Sequence, residues 1–416
     1  MRFYHVGLLI AFAAASAAAS ETAQLPSRPG GAAPAPDVSP TIVITAIRVQ
    51  DYRDRLAACL ARNCPVNEDV DASLALAEAL FLNGDYGEAR QAVRSSIGRN
   101  RRLASRFPEP VADLYRAQTR LARHIGLDRE ARTAAHNILN ALQEGIPQED
   151  HRHFTARFEI AEMQMMRADF PGARRELAQL IRAARAAGRE DVATIAELRD
   201  LQYELVAFPA SDARGRLLSW SQVTAPDQRM RAIGARILLA RLFRDEGDSR
   251  RADSLLAEIG RATSVGGRRR LLHAPAYQLA QQEVKPPEDQ DILDPSANVY
   301  AMGRTLNRVT ESYVDKWIDV GFWVLPDGHV SGLEIVRRGA AADWAAPLLA
   351  SIRNRTYSAA GESTYRLERY TFTADYDQVT GTHIRARSPR GRVEYLDLTV
   401  DGEAPPPTTP ASGMTR

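Results

Sequence analysis

Apolar positions in the first two thirds of this chain recur at three- and four-residue spacing. Stretches such as "DASLALAEALFL" (71–82) and "FTARFEIAEMQMM" (154–166) place Leu, Ala, Ile and Met on one side of a helix. A short polar turn follows each such stretch: "NGDYGEAR" (83–90), "GLDREAR" (126–132), "ADFPGARREL" (168–177), "ASDARGRLL" (210–218) and "GDSRRADSLL" (247–256). The matching alanines are Ala89, Ala131, Ala173, Ala213 and Ala252, spaced 42, 42, 40 and 39 residues apart. Gly or Asp in the turn ends one helix and caps the next. The small alanine lets the two helices approach closely. The pattern predicts repeated helical hairpins that bury their apolar faces by stacking on their neighbours.

The period changes at "IDVGFWVLPDGHVSGLEIVRRG" (318–339). Ile318, Val320, Phe322 and Val324 alternate with Asp319, Gly321 and Trp323, and Val330, Leu333 and Ile335 follow the "LPDG" turn. This is a β-hairpin. In "AADWAAPLLASIRNR" (341–355), Trp344, Leu348 and Ile352 form a helix stripe, with Pro347 tolerated only near the first turn. "YRLERYTFTADY" (365–376) alternates again, which gives the order β-β-α-β.

Both parts resemble known families. Helix, Gly-Asp-aromatic turn and an Ala-marked second helix are similar to tetratricopeptide-type repeats, over about 70–265, with "LAEALFLNGDYGEARQAV" the best copy. The period exceeds the usual 34 of that family. Residues 313–377, with "FWVLPDGHVSGLEIVRRG" and a later aromatic strand, resemble the TonB C-terminal domain. The fold class expected is mainly α: a tetratricopeptide-like helical solenoid followed by a small α+β TonB-C-like domain. The resemblance implies a periplasmic location and β-augmentation, in which a partner peptide pairs with the edge of the last strand. Carried over, that edge is Tyr370, Thr371, Phe372, Thr373, Ala374, Asp375 and Tyr376. Residues 382–400, "THIRARSPRGRVEYLDLTV", add strand-forming sequence able to pair with the same sheet and cover it. The family's Gln-Tyr-Pro is replaced by "NRVTESYVDKW", and "RTYSA" (355–359) stands where its helix ends in a Trp-Arg motif, so a force-coupled motor is not expected.

The ends and breaks set the boundaries. Arg2 precedes an apolar stretch, Gly7–Ala19, that closes on small residues. Its thirteen residues would rise roughly 20 Å against a hydrocarbon core of about 30 Å, so 1–20 reads as a cleaved export signal rather than a span. The divisions expected are a leader at 21–50, the repeat domain at 51–283, a linker at 284–312, the TonB-like domain with added strands at 313–400 and a tail at 401–416. "TIVITAI" (41–47) is a β-prone run within the leader. Cys59 and Cys64 are the sole cysteines, and an exported pair most simply forms a disulfide; free thiols and a C-x4-C metal half-site are the alternatives.

Composition excludes more than it assigns. A net charge of +2 gives no bias toward nucleic acid or anionic membrane. Lys285 and Lys316 are the only lysines among 54 basic residues, and the arginine runs "RNRR" (99–102) and "GGRRR" (266–270) read as solvated faces. His151 and His153 form an H-x-H that helical spacing separates, and the carboxylates of "EDQDILD" lack an EF-hand pattern. "MQMM" (163–166) reads as core. No catalytic, cofactor or metal site is expected. The function expected is a non-enzymatic scaffold for proteins of the cell envelope, with an accessory of outer-membrane transport as the alternative.

Overall fold

The computed structural model describes residues 48–263, 271–277, 316–340, 342–378 and 385–399. The export signal, nearly all of the leader with "TIVITAI", the linker with "EDQDILD", the run "GGRRR" and the tail lie outside them. The described chain is mainly helical, with a small antiparallel sheet at its C-terminal end. None of the described helices is long and apolar enough to cross a membrane.

Helix α1 (Val49–Ala61) is followed by α2 (Val66–Asn83) and α3 (Tyr86–Asn100), α4 (Pro108–His124) and α5 (Asp128–Gln143), α6 (His151–Met166) and α7 (Phe170–Ala186), α8 (Glu190–Ala207) and α9 (Ala213–Ser221), and α10 (Arg229–Asp245) and α11 (Ser249–Thr263). Ala89, Ala131, Ala173, Ala213 and Ala252 open the second helix of each pair and are all fully buried. The recurring alanine is thus buried within each helical hairpin. Three of the turns end their first helix with a residue in the left-handed region: Gly84, Gly126 and Gly247. In each, the next N–H reaches back to the carbonyl five residues earlier, as Asp85 does to Leu80. The third copy does the same with Ala168 at φ 59°, which costs an L-residue about 1–2 kcal/mol.

A second recurrence ties the pairs together. Arg90, one residue after Ala89, holds Glu130 of the next pair at 3.0 Å. Arg174, after Ala173, holds Asp200 at 2.8 Å and Glu204 at 3.0 Å. Arg214, after Ala213, holds Glu246 at 2.7 Å. In the last pair the arginine is replaced by Asp253, which turns back to Arg244 of its own hairpin.

Strand β1 (Leu271–His273) pairs with the short β4 (Thr356–Tyr357). The main sheet runs β3 (Val330–Arg338), β2 (Trp317–Val324), β5 (Thr364–Gln378), β6 (Arg385–Asp397), all antiparallel. Helix α12 (Ala346–Arg353), with Pro347 in its first turn, covers one face. There Ile318, Val320, Phe322, Val324 and Tyr370 pack on Leu348 and Ile352, and Trp344 borders the same cluster. Ile335 points to solvent instead of into this core. Gly328, at φ 90°, turns the hairpin where a side chain would strike the Tyr357 carbonyl.

Cys59 and Cys64 form a disulfide, with Cα atoms 5.1 Å apart, across the α1–α2 turn. Arg99, Arg101 and Arg102 of "RNRR" are exposed; Arg99 also bonds Asp69 and Ser73, and Asn100 is buried against the same Asp69. His153 is buried and bonded to the Ile146 carbonyl, whereas His151 is exposed beside Asp150, so the two imidazoles do not converge. In "MQMM", Met163 is buried and Met166 exposed.

Candidate functional site

Away from its outer strand β3, the sheet is covered on both faces, and the second face is polar. Strand periodicity puts Trp317 and Asp319 of β2, Arg369, Thr371 and Thr373 of β5, and Arg392, Glu394 and Leu396 of β6 on the side away from α12. All eight are buried or half-buried. They meet the turn ends of the helical hairpins: the C-termini of α2 and α4 and the N-termini of α3 and α5.

Two arginine–carboxylate nodes make that seam. In the first, Arg369 and Asp319 are both fully buried and joined by two bonds, of 2.6 and 2.9 Å. Arg337 reaches the same carboxylate at 2.7 Å. Arg369 also donates to the carbonyls of Phe81, which already accepts the Gly84 N–H, and of Leu82, at the end of α2. Its guanidinium lies 3.9 Å from the centroid of the Trp317 ring and 5.3 Å from that of Phe81. Gly84 has no room for a Cβ because the Trp317 indole occupies the space.

The second node repeats this one hairpin later. Arg392 donates to the Arg123 carbonyl at the end of α4 (3.2 Å), to Asp128 at the start of α5 (3.0 Å) and to Glu394 (2.7 Å). Arg123 closes on the other oxygen of Glu394 at 3.0 Å. Burial alone would push the Glu394 carboxyl up, but the Arg123 and Arg392 guanidiniums hold it down at about 2. Between the nodes, the Thr371 hydroxyl bonds His124 Nδ1 at 2.8 Å and the Tyr86 hydroxyl at 3.0 Å. Burial lowers His124 to about 3, so the imidazole is neutral at physiological pH. Arg167, at the third turn, adds a 2.8 Å bond to Asp128.

These contacts decide the fate of the nominated edge. Residues 370–376 do not form a free edge: β5 is an interior strand, and Tyr370 to Ala374 pair with Tyr395 to Gly391 of β6. Tyr370, Phe372 and Ala374 are buried toward α12, and Thr371 and Thr373 are buried toward the helices. The physical reason is that 385–397 alternates as a strand and takes the hydrogen-bonding edge itself. Asp375 and Tyr376 lie further along the same strand.

A second polar surface runs across the first helices of successive pairs. Arg116 of α4 reaches Glu159 of α6 at 3.6 Å. Half-buried Glu162 of α6 and Arg199 of α8 continue it through shared electrostatic contact; beneath them Tyr203 is buried in the core, and Arg241 of α10 donates to the Leu271 and Leu272 carbonyls of β1. Burial raises Glu159 and Glu162, the latter opposed by Arg123 and Arg199, and lowers Arg241 to about 10. A cavity of about 80 Å³ opens nearby between Arg132, His136, Gln164, Arg167 and Asp169.

A comparison with protein-family models gives no match, and neither does a comparison with curated proteins. Among solved structures, the chain is similar to the crystal structure of BtubC (BKLC) from P. vanneervenii, at 15% sequence identity and a TM-score of 0.40, over 56% of this chain and 98% of that one.

Proposed function

We propose that this protein is an exported, periplasmic scaffold that binds other proteins of the cell envelope through its helical hairpins, without catalysing a reaction. In this reading the hairpins form a tetratricopeptide-like solenoid, and the TonB-C-like sheet is a fitting fixed to its first turns. The observation that carries the proposal is the seam. Its most strongly shifted groups, His124 and Glu394, are consumed in joining sheet to helices, and the expected peptide edge is paired with β6 from Tyr370 to Ala374 and with β2 up to Thr371. Recognition then falls to the helices, whose first members carry half-buried Glu162 and Arg199 along a shared side. The disulfide between Cys59 and Cys64 agrees with an oxidising compartment. The transport-accessory reading would require β6 to leave β5 before a transporter peptide could pair there.

The test is affinity capture from envelope fractions with the mature chain and with a charge-reversed stripe, Glu162→Lys with Arg199→Glu. A partner specific to the stripe binds the purified native chain and loses at least tenfold in affinity to the variant by calorimetry, about 1.4 kcal/mol or more. Equal affinity of both chains for every captured protein would refute recognition by this surface.

A further inference from the structure

The seam joins two bodies that each have an apolar core of their own. The α12 side of the sheet closes around Phe322, Leu348 and Ile352, and the helical pairs close around clusters such as Leu177, Leu180 and Ala193. What lies between is chiefly polar, with Leu396 reaching across into the first helical cluster. An interface of this kind is held by charge and hydrogen bonding more than by apolar burial, so its strength follows the protonation of the groups inside it.

His124 sits at its centre. On its own helix it faces Arg120 and Arg123. From α2, the Phe81 ring meets its imidazole edge-on at 4.9 Å, and from α3 the Tyr86 ring lies 6.1 Å away. Strand β5 brings Thr371 and Arg369, and β6 brings Glu394. That carboxylate is already shared between Arg123 and Arg392, and Asp128 at the start of α5 is engaged by Arg392 and Arg167. A proton on His124 therefore places a new positive charge beside Arg120, Arg123 and Arg369. A proton on Glu394 removes the carboxylate that holds Arg123 to Arg392.

We infer that the seam is an acid-released latch: falling pH frees the sheet from the helical turns while helices and sheet each keep their own fold. This supplies a regulation for the scaffold but rests on the seam alone, and it holds or fails whatever the partner is. The direction follows from the two groups. In the docked structure His124 is buried beneath β5 and Glu394 lies between Arg123 and Arg392, and both sit below their ordinary values, so groups returned to solvent on undocking bind protons that the docked state refuses. Docking is at full strength above about pH 6.5, weakens roughly tenfold per pH unit as His124 takes its proton, and weakens up to about a hundredfold per unit below about pH 4.5, where Glu394 joins.

The test uses the full chain carrying a donor and an acceptor dye at Ser95 on α3 and Ser331 on β3, both exposed. Energy transfer and helical circular dichroism are followed together from pH 7.5 to pH 3.5. Transfer should fall before the helical signal does. In His124→Gln, or His124→Asn if the glutamine variant does not fold, the fall should move below about pH 4.5 with a shallower onset. Constant transfer down to pH 3.5, simultaneous loss of transfer and helix, or an unchanged midpoint in the histidine variant would each overturn the latch.

Discussion

Replacing Arg369 with methionine removes the first node and keeps most of the aliphatic bulk. Asp319, fully buried, is then left with Arg337 alone, the Leu82 carbonyl loses its donor, and the Phe81 carbonyl keeps only the Gly84 N–H. Breaking a buried ion pair from one side costs about 3–5 kcal/mol. The orphaned Leu82 carbonyl and the lost stacking on Trp317 add to this, and the retained Arg337 subtracts from it, so the expected loss stays near that range. The assay is denaturant unfolding followed by circular dichroism, read as a shift of midpoint at constant slope. The companion variant Arg369→Met with Asp319→Leu removes both charges and should recover at least half of the loss, because an apolar pair of similar volume does not strand a buried carboxylate. A loss below about 1 kcal/mol for Arg369→Met, or a double variant worse than the sum of its parts, would refute the reading of this node as a buried pair that locks the sheet to α2.

Gly84→Ala meets both a left-handed backbone and the Trp317 indole, whereas Gly188→Ala meets only the backbone, since nothing lies near its added Cβ; thermal unfolding should show the first variant at least about 1 kcal/mol worse than the second. Ala168→Gly relieves a left-handed alanine and should leave stability unchanged or raise it by up to about 1 kcal/mol, the strain relieved being partly offset by the entropy of the unfolded chain. Ala173→Leu forces extra methylenes into a fully buried hairpin contact and should cost roughly 1–3 kcal/mol, readable as a lower melting temperature. Reducing the Cys59–Cys64 bridge removes a short loop constraint and should cost about 2 kcal/mol in the chain-entropy account, measured by urea unfolding with and without reductant.

The hairpin units were legible because their signal is local. Five alanines at near-even spacing mark the same close contact, and each proves fully buried. The β-hairpin, the α12 stripe and the position of Pro347 were legible for the same reason: periodicity and turn chemistry act over a few residues. The arginine staples were written beside those alanines, in the recurring Ala-Arg of Ala89-Arg90, Ala173-Arg174 and Ala213-Arg214, but their partners lie in the next hairpin and only the fold brings them together. The seam was hidden more deeply. Alternation in "ERYTFTAD" shows that Arg369, Thr371 and Thr373 share a face, yet such a face reads as solvated until something packs on it. Nothing local to Phe81 or His124 says that a strand 288 and 247 residues away, respectively, covers them. The covered edge of β5 was open in the sequence for a related reason, since a strand's pairing partner is a tertiary choice.

The most direct test of the scaffold account places a photo-crosslinking residue at Glu162 on the helical stripe or at Ser331 on the outer strand of the sheet, in cells. The account predicts one reproducible set of envelope proteins captured from Glu162 and none of them from Ser331. Capture of those proteins from Ser331, with Glu162 silent, would make the sheet the recognition element and contradict the assignment of binding to the helices.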